Sequence, residues 1–277
     1  MSFTPVIPTG GYGGWAFLKR TLATQQKTFE STTTLKREED YFRAKIGSVK
    51  TAEALVSDKR LLRVALGAYG LSNDVNNTFF IRKILEDGTF NSESLANKLA
   101  NKQYSKMSAD FGFGDFPTPN TVLSDFPDKI LARYRQQQFE EAVGNVSNDM
   151  RLALYTEREL PAIAARNSSN DTKWFTIMGS PPLRSVFETA MGLPASFGSI
   201  DLDQQLTVFK ERSAKLFGSG NVADFVKPEV QEKLIRQFLI RSDLASGNIS
   251  GLTKGAGALA LLQSRQSSAS NILTLLR

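Results

Sequence analysis

Asp58–Leu71, DKRLLRVALGAYGL, reads as a short helix with both ends spelled out. Asp58 is placed to cap it, because its carboxylate can accept from an amide of the first turn that has no partner inside the helix. Leu61, Leu62, Val64, Ala65, Leu66 and Ala68 make the helix apolar nearly all round, so it is expected to be buried. Gly70 fits a left-handed stop, and Leu71 supplies the apolar contact that follows such a stop. The pattern returns at Pro182–Leu193, PLRSVFETAMGL. Aligned on the Gly-Leu pair, Leu61 falls on Leu183, Val64 on Val186 and Ala68 on Ala190. The spacing predicts two helical lobes built around these two buried helices.

Working outward, helical periods dominate and no run of strands emerges, so the fold class is all-α, a multi-helix bundle with flexible termini. Residues 1–28 read as a flexible basic lead followed by a docking helix that carries Trp15, Leu18 and Leu22 on one face. A helix is expected over about Arg37–Ile46, with Glu38, Glu39 and Asp40 balancing its positive end. Thr51 should cap a short helix before Asp58. Phe79, Phe80, Ile81, Ile84 and Leu85 are expected to form the next helix, stopped by Gly88. The Gly- and Pro-rich loop 111–127 is expected to be plugged onto the body by Phe111, Phe113 and Phe116. Its glycines are no phosphate-binding fingerprint, because no strand precedes them and no Lys-Ser/Thr follows. Asp125 and Pro127 open a long helix, in which Glu140 and Glu141 sit about 100° apart and read as solvated. The polar run 165–173 is the expected internal boundary. This divides the chain into a first lobe at 29–166, a second at 167–244 and a Gly/Ser-rich tail at 245–277. In the second lobe Phe175 and Leu202 are expected inside, and Ser180-Pro181 should repeat the cap-then-proline start.

Composition excludes several chemistries. The 277 residues contain no Cys and no His, which removes disulfides, thiolate nucleophiles, imidazole and thiolate metal sites and a histidine general base. No catalytic residue, cofactor or metal ligand is identified. An enzyme would need carboxylates of raised pKa in a deep polar pocket. The net charge of +6 resides in the ends. Lys19, Arg20 and Lys27 in 1–28 and Lys254, Arg265 and Arg277 in 245–277 face no acid in their own segments. Residues 29–244 balance 28 acids with as many bases, which argues against a nucleic-acid groove on the folded part. No stretch is long and apolar enough for a membrane span, and the start lacks the layout of a secretory signal peptide. The chain is expected to be soluble, in the cytoplasm or, if exported to the periplasm or flagellum, without a cleaved signal of that kind.

DKRLLRVALGAYGL, with YFRAKIGSVKTAEALVSD before it, FFIRKILEDG, SLANKLANKQY and DFGF after it, and RYRQQQFEEAVG further on, resembles a bacterial domain-of-unknown-function family often encoded among flagellar genes. The resemblance covers most of residues 40–240. It implies a helical fold and a flagellar role, and it assigns no active residue. The expected function is that of a non-enzymatic, flagellum-associated structural or assembly protein acting through protein–protein contacts. Ile272, Leu273, Leu275 and Leu276 near the end of the chain are the candidate partner-binding residues, with flagellar components among the expected partners. A small-molecule substrate is not expected. The alternative is a nucleic-acid or acidic-partner binder using the basic termini.

Overall fold

A computed structural model describes residues 3–246, and among these it contains thirteen α-helices and no strand. They are α1 Gly11–Glu30, α2 Thr33–Lys45, α3 Ala52–Ser57, α4 Lys59–Gly67, α5 Thr78–Asp87, α6 Leu95–Lys98 and α7 Gln103–Phe111. The chain continues with α8 Phe126–Val146, α9 Asn148–Ala164, α10 Asn170–Met178, α11 Pro181–Met191, α12 Leu202–Phe217 and α13 Pro228–Ala245. The candidate residues Ile272, Leu273, Leu275 and Leu276 lie outside the described residues, as does the tail from 247 onward.

The all-α class follows from local rules. Asp58 Oδ1 accepts from the amides of Arg60 (2.9 Å) and Leu61 (3.1 Å), and every expected core position of α4 is buried. Gly70 has φ 70° and Gly192 φ 65°. The Leu71 amide reaches back to the Leu66 carbonyl, and the Leu193 amide reaches back to that of Glu188, each at 2.9 Å. Both helices therefore end on the same six-to-one bond closed by a left-handed glycine.

Two buried clusters form the interior. The first runs from Leu35 to Tyr134; the second takes Trp15 and Leu18 together with Phe139 to Leu239. The helices of the two clusters follow one order. In the first, α4 packs on α2, α3 and α8; in the second, α11 packs on α9, α10 and α13. The helix after each Gly-Leu stop, α5 or α12, leans on the short helix before it, α3 or α10. The closing helix of each cluster has a proline in its first turn, Pro127 in α8 and Pro228 in α13. The first cluster adds α7, and α6 packs on α5 and α7.

These clusters divide the chain elsewhere than at 165–173. Tyr134 belongs to the first and Phe139 to the second, so the division falls inside α8, and α9 belongs with the second. At 21 residues α8 is roughly 30 Å long, enough to serve two cores in succession. The polar run is a tied turn: Ser169 caps α10, and the buried Lys173 ammonium donates to the Ala164 carbonyl at the end of α9.

Several local expectations are corrected. The lead is held in place from residue 3: Phe3 packs on Phe29 and Phe139, and Val6 exchanges both backbone hydrogen bonds with the Gln25 side chain. Helix α2 begins at Thr33, so Glu38 and Glu39 lie past its first turn. Glu38 pairs with Arg60, and Glu39 takes a bidentate bond from Arg135, tying α2 to α4 and α8. Phe79 is 73% exposed beneath the Arg82 guanidinium, and Phe116 stands edge-on to an exposed Phe90. Phe111 is fully buried and Phe113 packs on the first cluster, as expected, and Asp115 adds a second anchor to loop 111–127 by accepting from the Thr89 and Phe90 amides and the Thr89 hydroxyl. Phe175 and Leu202 also face outward. Ser180 makes no capping bond, and Pro181 and Pro182 leave only the Leu183 amide in the first turn of α11 for it to cap.

Candidate functional site

Where the two clusters meet along α8, a cleft of about 1070 Å³ opens. One wall is the Gly70 stop, the turn after it and residues 100–103, which lead into α7. The other is the outer face of α9 with Phe175 and Thr176 of α10 and the start of α11 at Pro181 and Pro182. Gln137, Glu140, Glu141 and Asn145 of α8 form the floor. A smaller pocket of about 220 Å³ adjoins it and shares Tyr69, Gln103, Gln137 and Glu159. Local rules position these walls: Gly70 turns the chain away at the end of α4, and the two prolines fix where α11 begins.

Two ionic networks lie beneath the cleft. Arg158 binds Glu140 through Nε–Oε1 (2.7 Å) and Nη2–Oε2 (3.0 Å), and it also contacts Glu159. Glu140, expected to be solvated, is only 5% exposed, because its face of α8 packs on α9; Glu141 does face outward. Burial pushes the Glu140 carboxyl above its ordinary value against the opposing pull of Arg158. Burial works to lower Arg158, but Glu140 and Glu159 outweigh it and hold the guanidinium charged. In the second network the buried Tyr69 hydroxyl donates to Asp110 (2.7 Å), and Arg133 reaches both Asp110 and the Tyr69 oxygen. Burial first, then the Asp110 charge, raises the Tyr69 hydroxyl well above its usual range.

The cleft thus meets the stated condition for acid–base chemistry, a raised carboxyl in a polar pocket, but Glu140 is not poised to use it. Each of its oxygens already accepts from Arg158, so neither is directed at a substrate. Among the described residues no cluster of Asp and Glu has the geometry of a metal site. What faces the open volume is different in kind. Asn73, Gln137 and Asn145 make no side-chain hydrogen bond among the described residues, and Arg166 makes no ion pair there. Phe175, Pro181 and Pro182 give the opposite wall an apolar surface. None of these residues was expected at a site from the sequence, where Phe175 and the two prolines read only as core and helix-start residues. They come together only because α8 continues from one cluster into the other.

A solved structure matches this fold: the X-ray crystal structure of a protein from Agrobacterium tumefaciens, with a TM-score of 0.70 and 25% sequence identity. The match covers 88% of this chain and 99% of that one. No curated protein matches the sequence. Residues 68–230 match a family model described as "Protein of unknown function (DUF1217)". The match takes in the Gly70 stop, all of α8 and the whole of the cleft's floor, and most of the chain, and so this protein belongs to the DUF1217 family.

Proposed function

We propose that this protein is a non-enzymatic, flagellum-associated structural or assembly protein that works through protein–protein contacts. The observation that carries the contact role is the cleft itself. It is wide and open between two rigid cores and is faced with amides, cations and rings. The ionisable groups beneath it are committed to one another. Such a surface suits holding a partner better than moving a proton. Support for the flagellar setting is the resemblance noted above, which places such chains among flagellar genes by association. The test is a deletion strain scored for swimming and complemented with the wild-type gene. Loss of swimming restored by complementation supports the reading. Unchanged swimming with intact filaments overturns the flagellar part of it.

One observation favours a second reading, an acid–base enzyme centred on the raised Glu140 carboxyl. It requires Arg158 to swing away when substrate binds. Glu140→Gln removes the titrating group, so complementation by that variant would dismiss this reading. The alternative of a nucleic-acid binder has less support, since the basic helix α1 is partly neutralised where it docks, Lys19 pairing with Glu157 at 2.7 Å. Duplex DNA titrated across a salt series distinguishes it, because phosphate contacts lose affinity steeply with salt.

A further inference from the structure

We infer that the cleft between the two cores is a receptor for an extended, acidic peptide segment of a partner protein. The inference rests on the protein–protein reading above and names the chemistry of the partner.

Three features of the cleft point the same way. First, its size stands at the upper end of what compact small ligands fill, and its walls come from two separate clusters, so it suits a length of chain laid between them. Second, the amides of Asn73, Gln137 and Asn145 each present a donor and an acceptor with no partner among the described residues. A peptide backbone offers the complementary pair at every residue, and an extended strand has them unpaired.

Third, the charge that remains after internal pairing is positive. Arg158 is shared by Glu140 and Glu159, and Lys106 stands 4.0 Å from Glu159. Lys102, Arg151 and Arg166 then face the cleft against Glu141 alone. None of these three cations pairs with a carboxylate among the described residues: Lys102 and Arg151 bond only the Asn97 carbonyl and the Asn148 side chain. Phe175, 36% exposed on α10, and the Pro181-Pro182 pair give such a segment an apolar surface for its uncharged side chains. The chain's own tail is the wrong occupant on charge, since residues 247–277 hold Lys254, Arg265 and Arg277 and no acid.

The experiment is a fluorescence-anisotropy titration of the full chain against a pool of fluorescein-labelled peptides of about eight residues, drawn from Asp, Glu, Leu, Ile, Gly and Ser. A matched pool has Lys and Arg in place of the acids. The expected result is saturable binding of the acidic pool at one site per chain, at least about tenfold tighter than the basic pool and weakened by salt. Arg166→Glu combined with Lys102→Glu should lower that affinity by about tenfold or more, and Phe175→Ala severalfold. All three positions are solvent-facing, so circular dichroism should show the fold retained. Equal binding of the two pools, binding that the charge reversals leave unchanged, or no saturable binding overturns the assignment. The titration uses no cells, so its failure is distinct from an unchanged swimming phenotype, which would count against the flagellar reading alone.

Discussion

At the start of α4 the second and third amides are taken by Asp58; at the start of α11 the first two positions are Pro181 and Pro182, which have no amide hydrogen to satisfy. The far ends of the two helices are closed by the same bond and the same kind of glycine. One pattern of apolar spacing thus tolerates two answers to the same unpaired donors: accept their hydrogen bonds, or do without them. The first answer makes the start of the helix depend on a charge, and the second does not. The surroundings differ as well. In the second cluster α11 lies in an aromatic nest, with Phe187 5.3 Å from Trp174 and 5.4 Å from Phe225 between ring centroids. Around α4 the neighbours are mostly aliphatic.

That contrast can be broken most forcefully at Phe187. Phe187→Ala should cost about 3–5 kcal/mol, since a fully buried ring leaves a cavity that its aromatic neighbours cannot close. Leu62→Ala, equally buried in α4, should cost about 2–4 kcal/mol. Urea denaturation measures both, and equal losses would remove the distinction between the two nests. Next is the ion pair that α8 and α9 share. Arg158→Ala strands Glu140 and should cost about 3 kcal/mol, whereas Glu140→Leu with Arg158→Met should recover most of it.

The glycine stops sharpen the comparison at a smaller scale. Ala at either position meets the left-handed penalty of about 1–2 kcal/mol. A methyl at Gly70 would lie 3.4 Å from Gln137 Oε1, which is tolerable, but one at Gly192 collides with the Arg241 guanidinium. Gly192→Ala should therefore be the worse of the two, and adding Arg241→Ala should bring it level with Gly70→Ala in thermal melts.

The smallest effect concerns the starts. Asp58→Ala should cost about 1 kcal/mol and Ser180→Ala close to none. Burial acts to raise the Asp58 carboxyl, but the Tyr41 hydroxyl and the Leu61 and Arg60 amides together hold it below its ordinary 3.8. A depressed carboxyl binds its proton less readily when folded, so its contribution is whole above that ordinary value and fades as pH falls through the folded one. Glu140 has the opposite sign: raised above 4.5, it favours the folded state most in acid and less as pH climbs through its raised value. Denaturation of wild type and Asp58→Asn at neutral pH and near pH 3 should show the variant losing less stability in acid, whereas Ser180→Ala should follow the wild type.

How much of this was legible depended on how local the cause was. The Asp58 and Thr51 caps, the two Gly-Leu stops and the buried faces of α4 and α11 lie within a few residues of their reasons, and they could be read from the chain. Phe79 and Leu202 sit at helix starts, where an apolar side chain has the right type for the core but has not yet come round to it, and Phe175 lies on the cleft-facing side of α10. No short-range pattern separates those cases from Phe80 or Trp174. Glu140 read as solvated because its partner is 18 residues away across the α8–α9 turn. The cleft is the extreme case. It draws on residues from Tyr69 to Leu183, and its existence depends on one helix serving two clusters. The polar run at 165–173 carries a related lesson: polarity marks a turn, and a turn need not separate cores.

Helix α1 precedes every other helix described, yet its Trp15 and Leu18 belong to the cluster that α13 completes, and α1 packs directly on α13. During synthesis its apolar face must wait for more than two hundred later residues before its own niche exists. Until residues 228–245 emerge, the nascent chain can close its first core, but α1, held by α2 and α8, keeps its Trp15–Leu18 niche unfinished. Vectorial folding of this second core therefore ends late, with its earliest helix locked in by its latest.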